Sequence, residues 1–379
     1  MPQMEPMGNG AFIRMDSLKN CTFPKRFEEE IAMASAFTPD RFIDEQELEE
    51  FMSRPSKDLL EDLSRIEGDI LILGVGGKMG PTLARLAKRA LVETGRKNRV
   101  IGVSRFTNPN HRKELEGHGV ETISADLLDP DQVRELPNVS NVIYLVGMKF
   151  GTTGAESKTW AVNTITPTNV CRHFNCTRIV ALSTGNVYPL TTVHSSGPTE
   201  ADPVGPIGEY AQSALARERL FQYFSEEKGI PISILRLNYA IDVRYGVLVD
   251  IAQKVRQGLP IDLSMGFANV IWQGDANERI LRSLHHCAKP AEVLNLTGSD
   301  IVSIRELAIN FAERFKTSPV LIGEESGTAL LSNPAKSEKR WGKPRVALDQ
   351  MVDWVSRWVE MGGSTLGKPT HFEARDGKF

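Results

Sequence analysis

Four glycines fall within seven residues in the segment Gly74-Val75-Gly76-Gly77-Lys78-Met79-Gly80. Glycine is needed where a chain turns sharply and where a Cβ would hold a phosphate away from backbone amides. The segment follows an apolar run at 70–73 and precedes a helix-forming stretch at 81–91. Strand, turn and helix in that order present amides to a pyrophosphate at the helix N-terminus. The chemistry expected is dinucleotide binding, with Gly74, Gly76, Gly77, Lys78, Met79 and Gly80 as the phosphate turn. The alternative is a tight strand-to-helix turn that binds nothing. Its spacing is GxxGxxG, since a strict GxGxxG would put the last glycine where Met79 stands. After the second apolar run, where an NAD site offers a carboxylate to the ribose, the chain has Ser104 and Arg105. Both can donate to a 2′-phosphate, which favours NADP over NAD, against the plain reading of a surface arginine. Asp126 and Leu127, after the third strand, are expected at the adenine, and Val146 and Gly147, after the fourth, along the cofactor.

Short apolar runs at 70–73, 100–103, 142–146, 179–182 and 232–235 position these residues. Strands apolar at nearly every position are buried on both faces, and helical stretches between them make right-handed crossovers. The fold expected is α/β: a doubly wound, Rossmann-like parallel sheet with a smaller C-terminal substrate-binding region and an N-terminal helical extension. The expected division is an extension at 1–68, a dinucleotide-binding domain at 69–239, and a mainly substrate-binding or lid region at 240–379, some of which returns to the sheet. Residues 248–258 and 304–315 read as helices, 293–296 as a short strand and 346–360 as a closing helix. In the extension, 1–37 reads as a loosely ordered arm, Thr38-Pro39 as a helix start, and Ser56 as the start of a second segment ending at Gly68.

Composition excludes several classes. With 45 Lys+Arg against 48 Asp+Glu, the net charge of −3 leaves no basic excess for nucleic acid or an acidic membrane. Charged residues at 25 % are too many for a bundle of membrane spans. Cys21, Cys171, Cys176 and Cys287 form no zinc-type array and read as reduced thiols, and the first twenty residues, which hold no long apolar run, are not expected to act as a signal peptide. A cytoplasmic protein without a metal is expected. His285 and His286 read as helix residues, and the acidic run Asp44 to Glu50 as a solvated helix face.

The chain resembles the extended short-chain dehydrogenases/reductases, also called the NAD-dependent epimerase/dehydratase family. Besides the glycine turn, the resemblance rests on Asn163 in the helix after the fourth strand. It also rests on Ser183-Thr184-Gly185-Asn186-Val187-Tyr188, similar to the family's S-S/T-x-x-V-Y. Pro206, Tyr210, Ser213 and Glu218 match its P-x-x-x-Y-x-x-S-K-x-x-x-E. The resemblance implies that Thr184 and Tyr210 bind the reacting oxygen, that Tyr210 moves the proton while nicotinamide takes or gives hydride, and that Asn163 and Tyr210 belong to the cofactor site. A phenol titrates near ~10, and the family's lysine, four residues after the tyrosine, stabilises the phenolate. Here that position is Ala214. Three readings stay open: another cation such as Lys149 substitutes, the charge of oxidised nicotinamide suffices, or the domain binds cofactor without turnover.

The family's substrate-diphosphate arginine has Ala268 as its counterpart, and its dehydratase Asp-Glu pair is replaced by Gly185-Asn186. What remains is oxidation, reduction or epimerisation at a secondary alcohol or ketone of a sugar, sugar acid or related polyol. Asn186, Asn238 and Trp272 are the candidate substrate contacts, each with a structural alternative. The rival function is a dinucleotide-binding pseudo-enzyme acting as a sensor or interaction protein. Family members often dimerise through the two helices that here carry Asn163 and Tyr210, so a homodimer is the expected assembly.

Overall fold

In the computed structural model, which describes residues 38–149, 151–368 and 370–378, the strand β1 (Ile70–Leu73) is an interior strand of a seven-stranded sheet. The expectation for residues 1–37 lies outside the described residues. All four residues of β1 are fully buried, as a run of branched aliphatics covered on both faces must be. The other strands are β2 (Val100–Ser104), β3 (Glu121–Ser124), β4 (Asn141–Tyr144), β5 (Arg178–Thr184), β6 (Ile232–Leu237) and β7 (Glu292–Leu296). Their spatial order is β7-β6-β5-β4-β1-β2-β3, and every neighbouring pair is parallel. The order reverses between β1 and β4, which opens a crevice at their carboxyl ends where such sheets bind ligands.

Helices cover both faces. On one, α1 (Glu45–Met52), α2 (Lys57–Ser64), α3 (Gly80–Glu93) and, later in the chain, Gln273–Arg282 lie together, with Leu59, Leu63, Leu83, Leu86 and Ile280 in the core. On the other, α4 (Glu156–His173) and α5 (Gly208–Lys228) pack side by side, burying Val170, Phe174 and Phe221 against the strands. A further core gathers α6 (Val247–Gln257), α7 (Ile304–Phe315) and α8 (Leu348–Glu360) around Trp272 and Trp354. Residues Arg41–Phe379 form one compact unit.

Two local expectations are corrected. The first helix does not start at Thr38-Pro39: Asp44 caps it, its carboxylate accepting from the Glu47 amide at 2.8 Å, whereas Ser56 does cap α2. The acidic run is not a merely solvated face either. Glu50 pairs with Arg85 and Arg89 of α3, and Glu45 and Glu49 pair with Arg244, because α1 lies across α3 and the loop beyond β6.

Candidate functional site

The glycine turn leaves β1 with Gly74 at φ +85°, a conformation that disfavours side chains. A Cβ on Gly80 would stand 2.2 Å from the Val75 carbonyl oxygen, and one on Gly76 would stand 2.6 Å from Ser104 Oγ. The turn therefore lies flat on the end of β2. No side chain caps α3, whose N-cap is Met79, so its first amides are left to a ligand or water. These features fit a dinucleotide phosphate.

Beside this turn, at the β1–β4 crevice, is a cavity of about 200 Å³. Each nearby strand end delivers part of its wall. Lys78 and Met79 come from the turn after β1, Val146, Gly147 and Lys149 from the loop after β4, and Thr184 and Asn186 from the end of β5. Tyr210 and Arg217 come from α5, and Asn238, Tyr239 and Tyr245 from the segment after β6. A larger groove of about 700 Å³, lined by Arg41, Arg314 and Arg357 among others, holds none of these groups.

Thr184 Oγ1 donates to Asn186 Oδ1 at 2.9 Å and accepts from the Asn186 amide at 3.2 Å. Tyr210 is 7 % exposed, so its ring is held by the fold while part of it faces the cavity. Asn238 is buried, and its Nδ2 has no hydrogen-bond partner among the described residues. An unmet donor in a cavity wall calls for an acceptor. Tyr239 beside it holds φ +41°, a strained backbone for a residue with a side chain.

Charge in the wall is one-sided. Lys78 Nζ donates to the Ala240 carbonyl at 2.7 Å and lies 3.9 Å from the Tyr245 ring centre. Lys149 Nζ lies 5.7 Å from the Tyr239 ring. Loss of water around these half-buried ammonium groups pushes Lys78 down to about 7, against the pull of Asp242 and with nearby Arg244 and Lys149 adding to the effect, and Lys149 down to about 8 against the pull of Asp250. Burial also pushes the Tyr239 and Tyr245 phenols up, so neither is a base at neutral pH.

Several expected residues lie elsewhere. Asn163 is fully buried behind the wall. Its Nδ2 donates to Ser213 Oγ at 2.8 Å, and its Oδ1 accepts from Arg217 at 2.9 Å and from the Met148 amide at 3.3 Å, so it supports the site rather than lining it. Trp272 does not reach the cavity. It is 1 % exposed among Phe42, Phe51 and Trp354, where core packing claims the indole. The Leu127 side chain is core, and the Asp126 carboxylate accepts from the Leu128 amide at 3.0 Å, within its own turn. Arg105 is exposed at the end of β2. Ala214 is fully buried against Val187 and Tyr188.

Arg217 escaped the reading of the sequence. It follows Tyr210 by seven residues, two helical turns on the same face, and that spacing was the available signal. Its guanidinium reaches the Val146 carbonyl at 3.1 Å, and a Cβ on Gly147 would touch it at 2.5 Å. Among the described residues no group of three or more His, Cys, Asp or Glu is placed to hold a metal, and no helix is long and apolar enough to cross a membrane.

Residues 70–241, the span from β1 to the far wall of the cavity, match the family described as the NAD dependent epimerase/dehydratase family. This span is an NAD-dependent epimerase/dehydratase family domain. Among curated proteins, the domain is similar to a 2-alkyl-3-oxoalkanoate reductase of Stenotrophomonas maltophilia, 33 % identical over 153 residues. That match covers 39 % of this chain and 42 % of the relative, less than half of either. Solved structures share the fold. A UDP-glucose 4-epimerase from Thermus thermophilus, complexed with NAD, has a TM-score of 0.62 at 20 % identity, covering 76 % of this chain and 98 % of that one. The dTDP-glucose 4,6-dehydratase DesIV from Streptomyces venezuelae has a TM-score of 0.66 at 16 % identity, covering 77 % and 97 %.

Proposed function

We propose that the chain is an NAD(P)-dependent oxidoreductase or epimerase acting at a secondary alcohol or ketone of a sugar, sugar acid or related polyol. The observation that carries the reading is the meeting of the glycine turn, Thr184 and Tyr210 at one cavity on the switch point of the sheet. Gly74 to Gly80 and the uncapped start of α3 would hold the pyrophosphate, Ser104 and Arg105 the ribose next to adenine, and Asp126 the adenine edge. The exposed guanidinium of Arg105 favours NADP. The nicotinamide of such a cofactor, when bound, supplies the hydride acceptor or donor.

The protein's own part is to hold and deprotonate one oxygen. Thr184 Oγ1 turns from Asn186 Oδ1 to the substrate oxygen, and Tyr210 Oη takes the hydroxyl proton in oxidation or returns it in reduction. Asn186 and Asn238 hold neighbouring hydroxyls, Asn238 through its unmet Nδ2. Positive charge comes from Arg217 and Lys149, since Ala214 gives none. The name of the Stenotrophomonas relative, a reductase of a 3-oxo compound, supports a ketone or its alcohol as the reacting group.

The test is a titration with NADPH and NADH followed by nicotinamide fluorescence, then turnover of a panel of polyols and sugar acids. Binding of a reduced dinucleotide with turnover that Tyr210→Phe abolishes is expected. Binding without turnover favours the pseudo-enzyme that the missing lysine suggests, and no binding overturns both readings.

A further inference from the structure

Residues 370–378 lie beyond α8 and outside the span matched by the family, yet the first of them reaches the cavity. Thr370 lines its wall beside Tyr245 and Gly246 and is 1 % exposed. Contacts along the segment hold it to the body of the protein. Asp250 of α6 accepts from the Thr370 hydroxyl at 2.6 Å and from its amide at 2.9 Å. One turn along that helix, Lys254 pairs with Glu373 at 3.6 Å. Phe372 is buried in the core that gathers α6, α7 and α8. The Arg375 guanidinium donates to the Ser264 and Thr328 carbonyls at 2.9 and 2.8 Å and to Thr328 Oγ1 at 2.6 Å. Gly377 then lies on the start of α5, two residues before Tyr210, where a Cβ on Gly377 would stand 2.2 Å from the Ile207 carbonyl oxygen. Asn186 and Tyr239 line the cavity and also a void of about 20 Å³ whose other wall includes Ala374, Arg375 and Gly377. Ordering a segment that has no helix or strand of its own costs conformational entropy at every residue, and these contacts offset it. The segment therefore keeps one course, from α6 along the cavity to the helix that carries Tyr210.

We propose that residues 370–378 are the outer wall of the reaction cavity and set the size of substrate it takes, admitting a compact polyol and excluding one that carries a further sugar unit. The proposal deepens the oxidoreductase reading and rests on it. A cavity of about 200 Å³ is already smaller than the ~300–1,000 Å³ of most ligand pockets, so its walls decide what enters. Thr370 contributes shape rather than chemistry, since its hydroxyl is spent on Asp250 and on the Phe372 amide at 3.3 Å. A longer substrate would have to push it aside. That would take from Asp250 two donors that offset the loss of water around its carboxylate. It would also draw Phe372, two residues on, out of the core.

The experiment compares the full chain with two variants that loosen the segment while leaving Thr370 and Phe372 in place. Arg375→Met cuts the bonds to Ser264 and Thr328, and Gly377→Ala presses a methyl group on the Ile207 backbone. A chain stopped after Lys368 removes the wall outright; should it fail to fold, the two point variants decide. Each protein is saturated with the preferred reduced dinucleotide, and acrylamide quenching of the nicotinamide fluorescence reads access to the cavity. Turnover is then measured for the best polyol of the panel and for the same polyol carrying one glucose unit. The wild type is expected to favour the compact polyol by about 10²-fold or more in kcat/KM. Each point variant should cut that preference about tenfold and raise the quenching constant about threefold, with dinucleotide affinity within about threefold. Unchanged preference and quenching in both overturn the proposal. So does a preference that stays while dinucleotide affinity falls, since the segment then serves the cofactor. A wild-type chain that binds no dinucleotide, or turns over no polyol, brings down the oxidoreductase reading and this proposal with it; turnover without a size preference brings down this proposal alone.

Discussion

A single hydroxyl separates tyrosine from phenylalanine, so Tyr210→Phe is a clean probe of the proton transfer assigned to it. The ring packs within a wall that is 7 % exposed at this residue, and phenylalanine fills the same volume. Turnover should fall by about 10²- to 10⁴-fold while dinucleotide affinity stays within about threefold, read from single-turnover rates and fluorescence titration. A fall of less than tenfold would move the proton to another group. Gly80 makes a structural claim of the same kind. Alanine there would press its Cβ on backbone atoms of Val75, 2.2 Å from the carbonyl oxygen, and backbone cannot swing aside as a side-chain tip can. Gly80→Ala should cost about 1–3 kcal/mol in urea unfolding and weaken dinucleotide binding, whereas unchanged values for both would refute a tightly seated turn. At this scale the sequence was legible where spacing defined a local motif, as in the glycine turn, Thr184 and Tyr210. It was silent on direction. Nothing in the composition of the turn says that Lys78 aims at Ala240 and Tyr245, and a tryptophan reads alike whether it faces a pocket or, as Trp272 does, a core.

At the scale of elements, the long apolar runs and regular helical periods were readable because burial imposes them. Ile70–Leu73 and Ile304–Phe315 were read to the residue and β2, β4, β5, β6 and β7 to within two residues, whereas β3, a half-exposed edge strand without an apolar run, was given no bounds. The start of the first helix was not, because Thr-Pro and Asp44 are rival caps and only tertiary packing of Leu48 and Met52 chooses between them. Pairings between distant elements were equally hidden, and one of them fixes the helix that carries Tyr210. Glu218 of α5 is 1 % exposed and binds Arg236 of β6 at 2.8 Å. It also accepts from Ser183 of β5 at 2.5 Å, while Arg236 donates to Tyr188 at 2.7 Å. The pair ties α5 to the strands beneath it. Arg236→Met keeps most of the volume but strands a buried carboxylate, which should cost about 3–5 kcal/mol of stability and loosen the placement of Tyr210. Replacing both partners, Glu218→Gln with Arg236→Met, should recover part of that loss. Equal losses in the single and double variants would mean that the stranded charge is not the cause.

For the molecule as a whole, the two cavity lysines tie folding to pH. An unfolded lysine titrates near ~10.4, whereas the folded chain holds Lys78 at about 7 and Lys149 at about 8. Between those values and ~10.4 the unfolded chain binds more protons, so this contribution to stability rises with pH across that window. Below about 7 both states are protonated and the penalty for the half-buried charge is complete; above ~10.4 both are neutral and it is gone. Removing the charge therefore helps most on the acid side. Lys78→Met gives up the bond to Ala240 and the contact with Tyr245, yet it should raise stability near pH 7 by on the order of 1–3 kcal/mol, with the gain shrinking toward pH ~10. Melting temperatures of wild type and variant across that range give the comparison, and the difference between the two chains cancels the titration of groups that do not interact with Lys78. A gain that does not vary with pH would place its origin in packing rather than charge.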